Sequence, residues 1–326
     1  MADPQIRKAL QLLRDGLNKP SLSPHQTLDE NSVFPELAYF RQLARLLSIQ
    51  IYVCFADGRM DAAIDALSDG LRFGSRIQSD SIISGLYGVS IDTTVLTGFS
   101  AQRDMLSDYQ CARVQRLMEE WVERPAPVAA LLNGTMQLSR RSLENTRGDV
   151  NHLEEMLQSY SSDGESGQED AKNLIDHLKL HPLGLGQAID EAKVLTVAYY
   201  DAAFANRKRP VKERMPPAKE DVKSLGGRLF SQMKLNIGSV MDNYDRANAM
   251  LRLLGVHAAV RHYRWEHNSL PNSLAGLQIN SLIQDPFTGD NLHYQRNGTG
   301  YDLYSEGPME TNEAGAPTGK RTPVRL

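Results

Sequence analysis

Histidine spacing is the first place to look for chemistry in this chain. His257, His262 and His267 form an H-x4-H-x4-H run, and imidazole is the side chain that binds zinc or moves protons near neutral pH. On a helix, steps of five turn each ring by about 140° from the one before, so the three cannot converge on one ion. They read as polar edges of a helix. His177 and His181 have the better i, i+4 spacing, with Asp176 adjacent. Pro182 follows at once and disfavours helix at His181, and no third ligand or H-E-x-x-H glutamate accompanies the pair. It is a weak metal candidate.

Other chemistry-bearing patterns are thinner. Pro182-Leu183-Gly184-Leu185-Gly186 looks like a phosphate-cradling loop but lacks the third glycine, the Lys-Ser/Thr of a P-loop and a preceding strand. No serine lies in a G-x-S-x-G elbow. Cys54 and Cys111 sit among apolar residues outside any C-x-x-C, which reads as two buried thiols. Two cysteines make neither a disulfide scaffold nor a four-cysteine zinc site. The sequons at Asn133 and Asn297 read as incidental. No catalytic residue and no cofactor is therefore assigned. The strongest local charge anomaly is Asn206–Lys219, with six basic residues, one acid and three prolines. Arg207, Lys208, Arg209, Lys212 and Arg214 could meet an anionic partner or membrane surface. With no aromatic interleaved, a solvated loop is the plainer reading. Over the whole chain 36 Lys plus Arg face 40 Asp plus Glu, a net −4, which excludes the basic field of a nucleic-acid binder.

The elements that would position these residues are mostly helices. Ile6, Leu10, Leu13 and Leu17 share a face, ended by Asn18-Lys19-Pro20. Ser21–Asn31 reads as a connection. Pro35 opens a long helix with Leu37, Phe40, Ala44, Leu47, Ile51 and Phe55 inward, and Asp57-Gly58 turns the chain into a second helix carrying Ala63, Leu67 and Leu71. This pair resembles one tetratricopeptide-type unit, with small Ala62, Ala63 and Ala66 allowing close approach, but no 34-residue echo follows. Further helices are expected over Ser79–Phe99, Asp108–Val122, Pro127–Leu157 and Gln187–Ala205. Ser159–Asp170, acidic and rich in Ser and Gly, reads as a mobile loop, and Asn206–Lys219 as an extended linker. The longest apolar stretch read is Leu43–Ala56, 14 residues, short of the ~17–25 a membrane span needs. The first nine residues contain no secretory h-region.

The ending differs in kind. Over Asp242–Asn268, Leu251, Leu254, Ala258 and Trp265 fall on one arc, and Leu253, Val256, Val260 and Tyr263 on another. Such a helix is sandwiched, with a helical domain on one side and a small sheet on the other. Leu292–Arg296 and Tyr301–Ser305 flank Asn297-Gly298, a tight-hairpin signal. With those two residues as the loop, Tyr294 faces Tyr301 and Leu292 faces Leu303, all on one side of the ribbon. After Gly307 the tail offers little to bury and reads as loose.

Taken together, Tyr263-Arg264, Leu270-Pro271, Asp285-Pro286, Tyr294 and Tyr304-Ser305-Glu306-Gly307 resemble the soluble end of type II secretion major pseudopilins. The match covers about the last 65 residues before the tail. In that family a final acidic loop holds calcium. The corresponding loop here offers Glu306, Glu310 and Glu313 but no aspartate, and the hydrophobic assembly helix that opens a pseudopilin has no counterpart. The whole chain, with FPELAYFRQLARLL and DGRMDAAIDAL, resembles mostly helical bacterial envelope-associated proteins that share this ending and have no assigned activity. The resemblance implies an extracytoplasmic, envelope location and no catalytic residues; residence in the cytoplasm stays open.

The resulting expectation is a mainly α chain: an irregular, partly tetratricopeptide-like helical domain over 1–240 and a small α+β unit over 241–326. Its function is expected to be that of a non-enzymatic interaction or scaffold protein with an unknown protein partner and no nucleic acid. Membrane contact would come only through an anchor that this sequence does not contain. The alternatives are a hydrolase with a dispersed site and a filament subunit of the pseudopilin kind.

Overall fold

The computed structural model describes residues 3–20, 35–78, 81–124, 127–160, 164–181, 183–215, 223–279, 281–311 and 317–326. The chain is mainly α-helical, with two antiparallel hairpins at its end. Helix α1 (Pro4–Leu17) is capped by Asp3, whose Oδ1 accepts the Gln5 and Ile6 amides at 2.7 and 3.4 Å. Helices α2 (Pro35–Ala56) and α3 (Met60–Ile77) reverse at Gly58, where φ is +71°. The expected inward residues of α2 are buried or nearly so, and Ala63 and Ala66 of α3 are sealed.

Helix α4 (Ile82–Ser100) packs on both α2 and α3. The apolar reading of Leu43–Ala56 needs correcting here: α4 is longer, has a mean hydropathy of 1.3 over its most apolar window, and half of that window is buried. It passes the length and composition test of a membrane span while serving as a core helix. It crosses α3 closely, since a Cβ on Gly74 would stand 2.8 Å from the Gly88 carbonyl oxygen.

At that crossing lies Asp92, the single charged residue of α4. Its Oδ2 accepts from Gln78 Nε2 at 3.0 Å, while Oδ1 is sealed and has no hydrogen-bond partner. Burial pushes this carboxyl well above the usual 3.8. The native state then keeps a proton that the unfolded chain has already lost, so stability falls as pH rises from 3.8 towards the raised value. Asp92→Asn should therefore be more stable than the parent at pH 7, with the difference vanishing below about pH 4. Urea unfolding at the two pH values checks this; an equal difference at both would mean the carboxyl is ionised in the fold.

Helix α5 (Asp108–Glu123) follows, its first turn closed by the Ser107 and Gln110 capping box. The single helix expected over Pro127–Leu157 is two, α6 (Val128–Asn145) and α7 (Val150–Tyr160). Gly148 at φ +87° breaks the path, and Asp149 Oδ1 caps α7 by accepting the Asn151 and His152 amides at 3.0 and 3.1 Å. The loop expected over Ser159–Asp170 is also corrected: residues 161–163 lie outside the described ones, but α8 (Gly164–Leu180) already includes 164–170. Leu174, Ile175 and Leu178 bury its face.

Helix α9 (Gly184–Lys208) extends into the stretch read as a linker, followed by a 3-10 turn at Val211–Glu213; residues 216–222 lie outside the described ones. Helix α10 (Leu225–Met233) carries no counterpart in the sequence reading. Helix α11 (Ile237–His267) starts earlier than expected and is the longest element. Buried side chains gather into three cores. Helices α7 to α10 form one with Leu143 of α6. Parts of α4, α6, α9 and early α11 form the second. The third joins α1 to α5, the rest of α11 and the C-terminal unit. The change of core comes inside α11, between Ala247 and Ala249.

As expected, α11 is held on two sides: α4 and α5 on one, the hairpin unit on the other. Trp265 is an exception, since at 56% exposure it lies beyond the packed part of its arc. Strands β1 (His293–Asn297) and β2 (Gly300–Tyr304) pair with Gly298-Thr299 as the loop, so Tyr294 faces Leu303 and Arg296 faces Tyr301. This corrects the expected register by two residues. An even shift keeps every side chain on its face, and the Tyr294 and Tyr301 rings still meet diagonally at 5.5 Å. The tail is not loose. Strands β3 (Met309–Thr311) and β4 (Pro317–Arg321) pair, Val324 bridges Ser305, and its side chain is 4% exposed.

Candidate functional site

An open groove of about 930 Å³ lies between α2, α4 and α11. Ile49 and Tyr52 of α2 form one wall and are 52% and 60% exposed. The floor is the outer face of α4, where Leu86, Ser90, Thr94 and Gly98 recur every four residues. Two of its hydroxyls are already engaged: Thr93 donates to the Val89 carbonyl at 2.9 Å and Thr94 to the Ser90 carbonyl at 2.7 Å. This i−4 bonding turns the hydroxyls of those two threonines back onto their own helix. From α11, Asn243 donates to its own helix at the Ser239 carbonyl, 2.9 Å away. Arg246 is the only charged lining residue, and among the described residues it makes no ion pair or hydrogen bond. The surface is thus short-chained, nearly apolar and marked by one cation.

A second constellation is polar and sits where α11 meets β2. Tyr301 Oη lies 2.5 Å from His257 Nδ1, and His257 Nε2 lies 3.3 Å from Asp104 Oδ1, off hydrogen-bond alignment. Arg261 reaches the same Asp104 oxygen at 3.3 Å and the Leu106 carbonyl at 3.3 Å. Burial lowers the His257 pKa and raises that of Tyr301. The phenol therefore donates to Nδ1, and the imidazole is neutral at pH 7 with its proton on Nε2 towards Asp104. His257, Arg103 and Arg261 hold the Asp104 carboxyl at about 2. A tyrosine held as phenol is a poor nucleophile or base. The cluster ties the hairpin to α11.

The sequence candidates disperse. His257 turns to Tyr301, His262 to Asp108, and the His267 ring stacks on Tyr263 at 3.9 Å; His262 and His267 share Glu266 at 3.8 and 4.0 Å, and His257 points elsewhere, so the H-x4-H-x4-H run does not converge on one point. His177 and His181 place their rings 4.8 Å apart in exposed positions, α8 ends at Leu180, and no group of three metal-ligating side chains gathers among the described residues. Glu306 is exposed and gives its amide to Asp285, Glu310 accepts from Thr322 Oγ1 at 3.0 Å, and Glu313 lies outside the described residues.

The basic stretch needs the larger revision. Arg207 makes two bonds to Asp245 at 2.6 and 2.5 Å, and Arg214 approaches the same carboxylate at 3.4 Å. Lys212 pairs with Asp290, and Lys208 lies 4.0 Å over the Phe204 ring. Of the five cations, Arg209 alone has no contact of this kind among the described residues. The residues the sequence reading passed over are those of the groove; the four-residue spacing of Ser90, Thr94 and Gly98 was the available signal. Compared with known proteins, the chain matches no family model, no curated protein and no solved structure.

Proposed function

We propose that this chain is a non-enzymatic interaction protein that docks a partner helix in the groove between α2, α4 and α11. The observation that carries the reading is the groove's lining: Ser, Thr and Gly at helical spacing, apolar walls, one arginine with no ion pair among the described residues, and no acid or histidine. Short side chains let a helix backbone approach closely, and ridges of one helix seat between two others. An open trough suits a helix better than a small ligand, which typically has ~70–90% of its surface enclosed. Arg246 sets the partner's charge: an apolar-faced helix bearing a carboxylate near one end. The absence of acids, histidines and cysteines from the lining counts against the hydrolase alternative. An envelope location and a pseudopilin-like ending belong to this reading as proposals that rest on the resemblance alone.

A photo-crosslinking residue at Tyr52, with the adduct sequenced, tests it. The expected adduct is a helical, apolar-faced protein segment with an acidic residue. Thr94→Trp should abolish it, and Arg246→Gln should weaken binding about tenfold, the scale of one charged hydrogen bond. No adduct, a small-molecule adduct, or one indifferent to both substitutions would overturn the proposal.

A further inference from the structure

The rims of the groove between α2, α4 and α11 carry more charge than its lining. On α2, Arg41 and Arg45 are exposed and stand seven positions before Ser48 and Tyr52, so all four share one face of that helix. The Arg41 guanidinium lies 4.3 Å over the ring of Tyr87, which adjoins Leu86 of the floor, so this cation is placed beside the groove. Arg246 stands across from them on α11. Both long sides are thus cationic. Asp242, one turn before Arg246, offsets part of that charge, and Asp104, just beyond Gln102 at the far end, is held by His257 and Arg261. The floor also runs further than the trough, because Ile83, 42% exposed, lies on the same face of α4 as Leu86 and Ser90. From Ile83 to Ala101 the helix rises about 27 Å, which matches a partner helix of about 18 residues, or five turns.

We infer that the occupant of the groove is an acidic amphipathic helix of about five turns, with carboxylates on both flanks of its apolar stripe. This rests on the docking reading above and specifies the partner. A helix lying along α4 turns its apolar positions at i, i+3, i+4 and i+7 onto the floor, and the positions beside that stripe face the two sides. Carboxylates there meet Arg41 and Arg45 on one side and Arg246 on the other. Lysines there would set like charges against both sides. Rim charge selects partners and speeds encounter more than it adds affinity. The signature is therefore discrimination between helices with the same apolar face, together with sensitivity to salt.

Fluorescence anisotropy of the full chain with three synthetic helical peptides of about 18 residues tests this. The peptides share one Leu/Ala face and carry Glu, Gln or Lys on both flanks. The Glu peptide is expected to bind about tenfold more tightly than the Gln peptide, the Lys peptide more weakly than either, and the preference should fade at about 0.5 M salt. Combining Arg41→Gln, Arg45→Gln and Arg246→Gln should bring the Glu peptide to the affinity of the Gln peptide, with the thermal melt recorded alongside. Thr94→Trp should block every peptide. The comparison of peptides on the parent chain decides the matter even where the triple variant does not fold. Equal binding of the Glu and Gln peptides, both blocked by Thr94→Trp, would overturn the acidic partner and leave the docking reading standing. No binding of the Glu peptide would also overturn it, and the Tyr52 adduct then judges the docking reading separately. Binding to phosphatidylglycerol vesicles that the Glu peptide fails to displace would assign the cations to a lipid surface and overturn the inference as well.

Discussion

Replacing Asp245 with alanine is expected to cost about 3–5 kcal/mol, the price of orphaning a buried ion pair. Asp245 is 6% exposed on α11, and its carboxylate takes two bonds from Arg207 and a third approach from Arg214. Those arginine side chains are themselves only 20% and 24% exposed. Without the carboxylate, two guanidinium groups would face each other with little water to separate them. Burial, followed by the repulsion of Arg207, already lowers the Arg214 pKa. The triple substitution Asp245→Leu, Arg207→Met and Arg214→Met should recover most of the loss, because neutral packing replaces the whole set rather than one member. Urea unfolding of the three proteins reads this directly. A loss below about 1 kcal/mol in the alanine variant would mean that the arginines are solvated like a surface pair.

The second large effect is expected at Asp285, which is fully buried in the turn before β1. Its Oδ1 accepts the Phe287 amide at 2.8 Å and Ser305 Oγ at 3.0 Å, and its Oδ2 accepts the Glu306 amide at 2.7 Å. One carboxylate thus joins the Asp-Pro turn to the end of β2. Gly307 follows at φ +73°, where a Cβ would stand 1.9 Å from the Thr322 carbonyl oxygen, so the tail hairpin also depends on this junction. Asp285→Ala should destabilise the chain by roughly 3–5 kcal/mol, less than the sum of three charged hydrogen bonds at ~1.5–3 each because such losses overlap. Asp285→Asn should cost less, since its carbonyl keeps the Oδ1 bonds while its amide meets the Glu306 N–H unfavourably. Hydrogen exchange should show protection lost first at the end of β2 and at Val324. Unchanged protection there would show that Leu292 and Val324 hold the unit by burial alone.

Both sites illustrate how polar residues mislead when read along the chain. Arg207 to Arg214 looked like a free charge run because their acceptor stands 38 and 31 positions away on another helix. Asp285-Pro286 stood out only as one word of the resemblance, and its reach to Ser305 spans 20 positions and comes from the hairpin folding back. The groove was missed for a different reason. Ser90, Thr94 and Gly98 have low individual weight in any pattern, and their shared face matters only because α2 and α11 leave it uncovered.

What the sequence determined by itself is what backbone geometry and near neighbours control. The 3.6-residue period located α1, α2, α3 and the doubly apolar α11, Gly58 placed their sharpest reversal, and the alternation around Asn297-Gly298 settled which face of the hairpin is buried. The tertiary structure alone decided register, tail and partners. Gly298-Thr299 became the hairpin loop, Val324 found Ser305, Tyr301 found His257 across 44 residues, and Asp245 drew the basic stretch inward. The physical reason is range. Helix and turn signals are written within about four residues, whereas a buried polar group takes whichever partner packing delivers, because leaving it unpaired costs more than any local preference can offset.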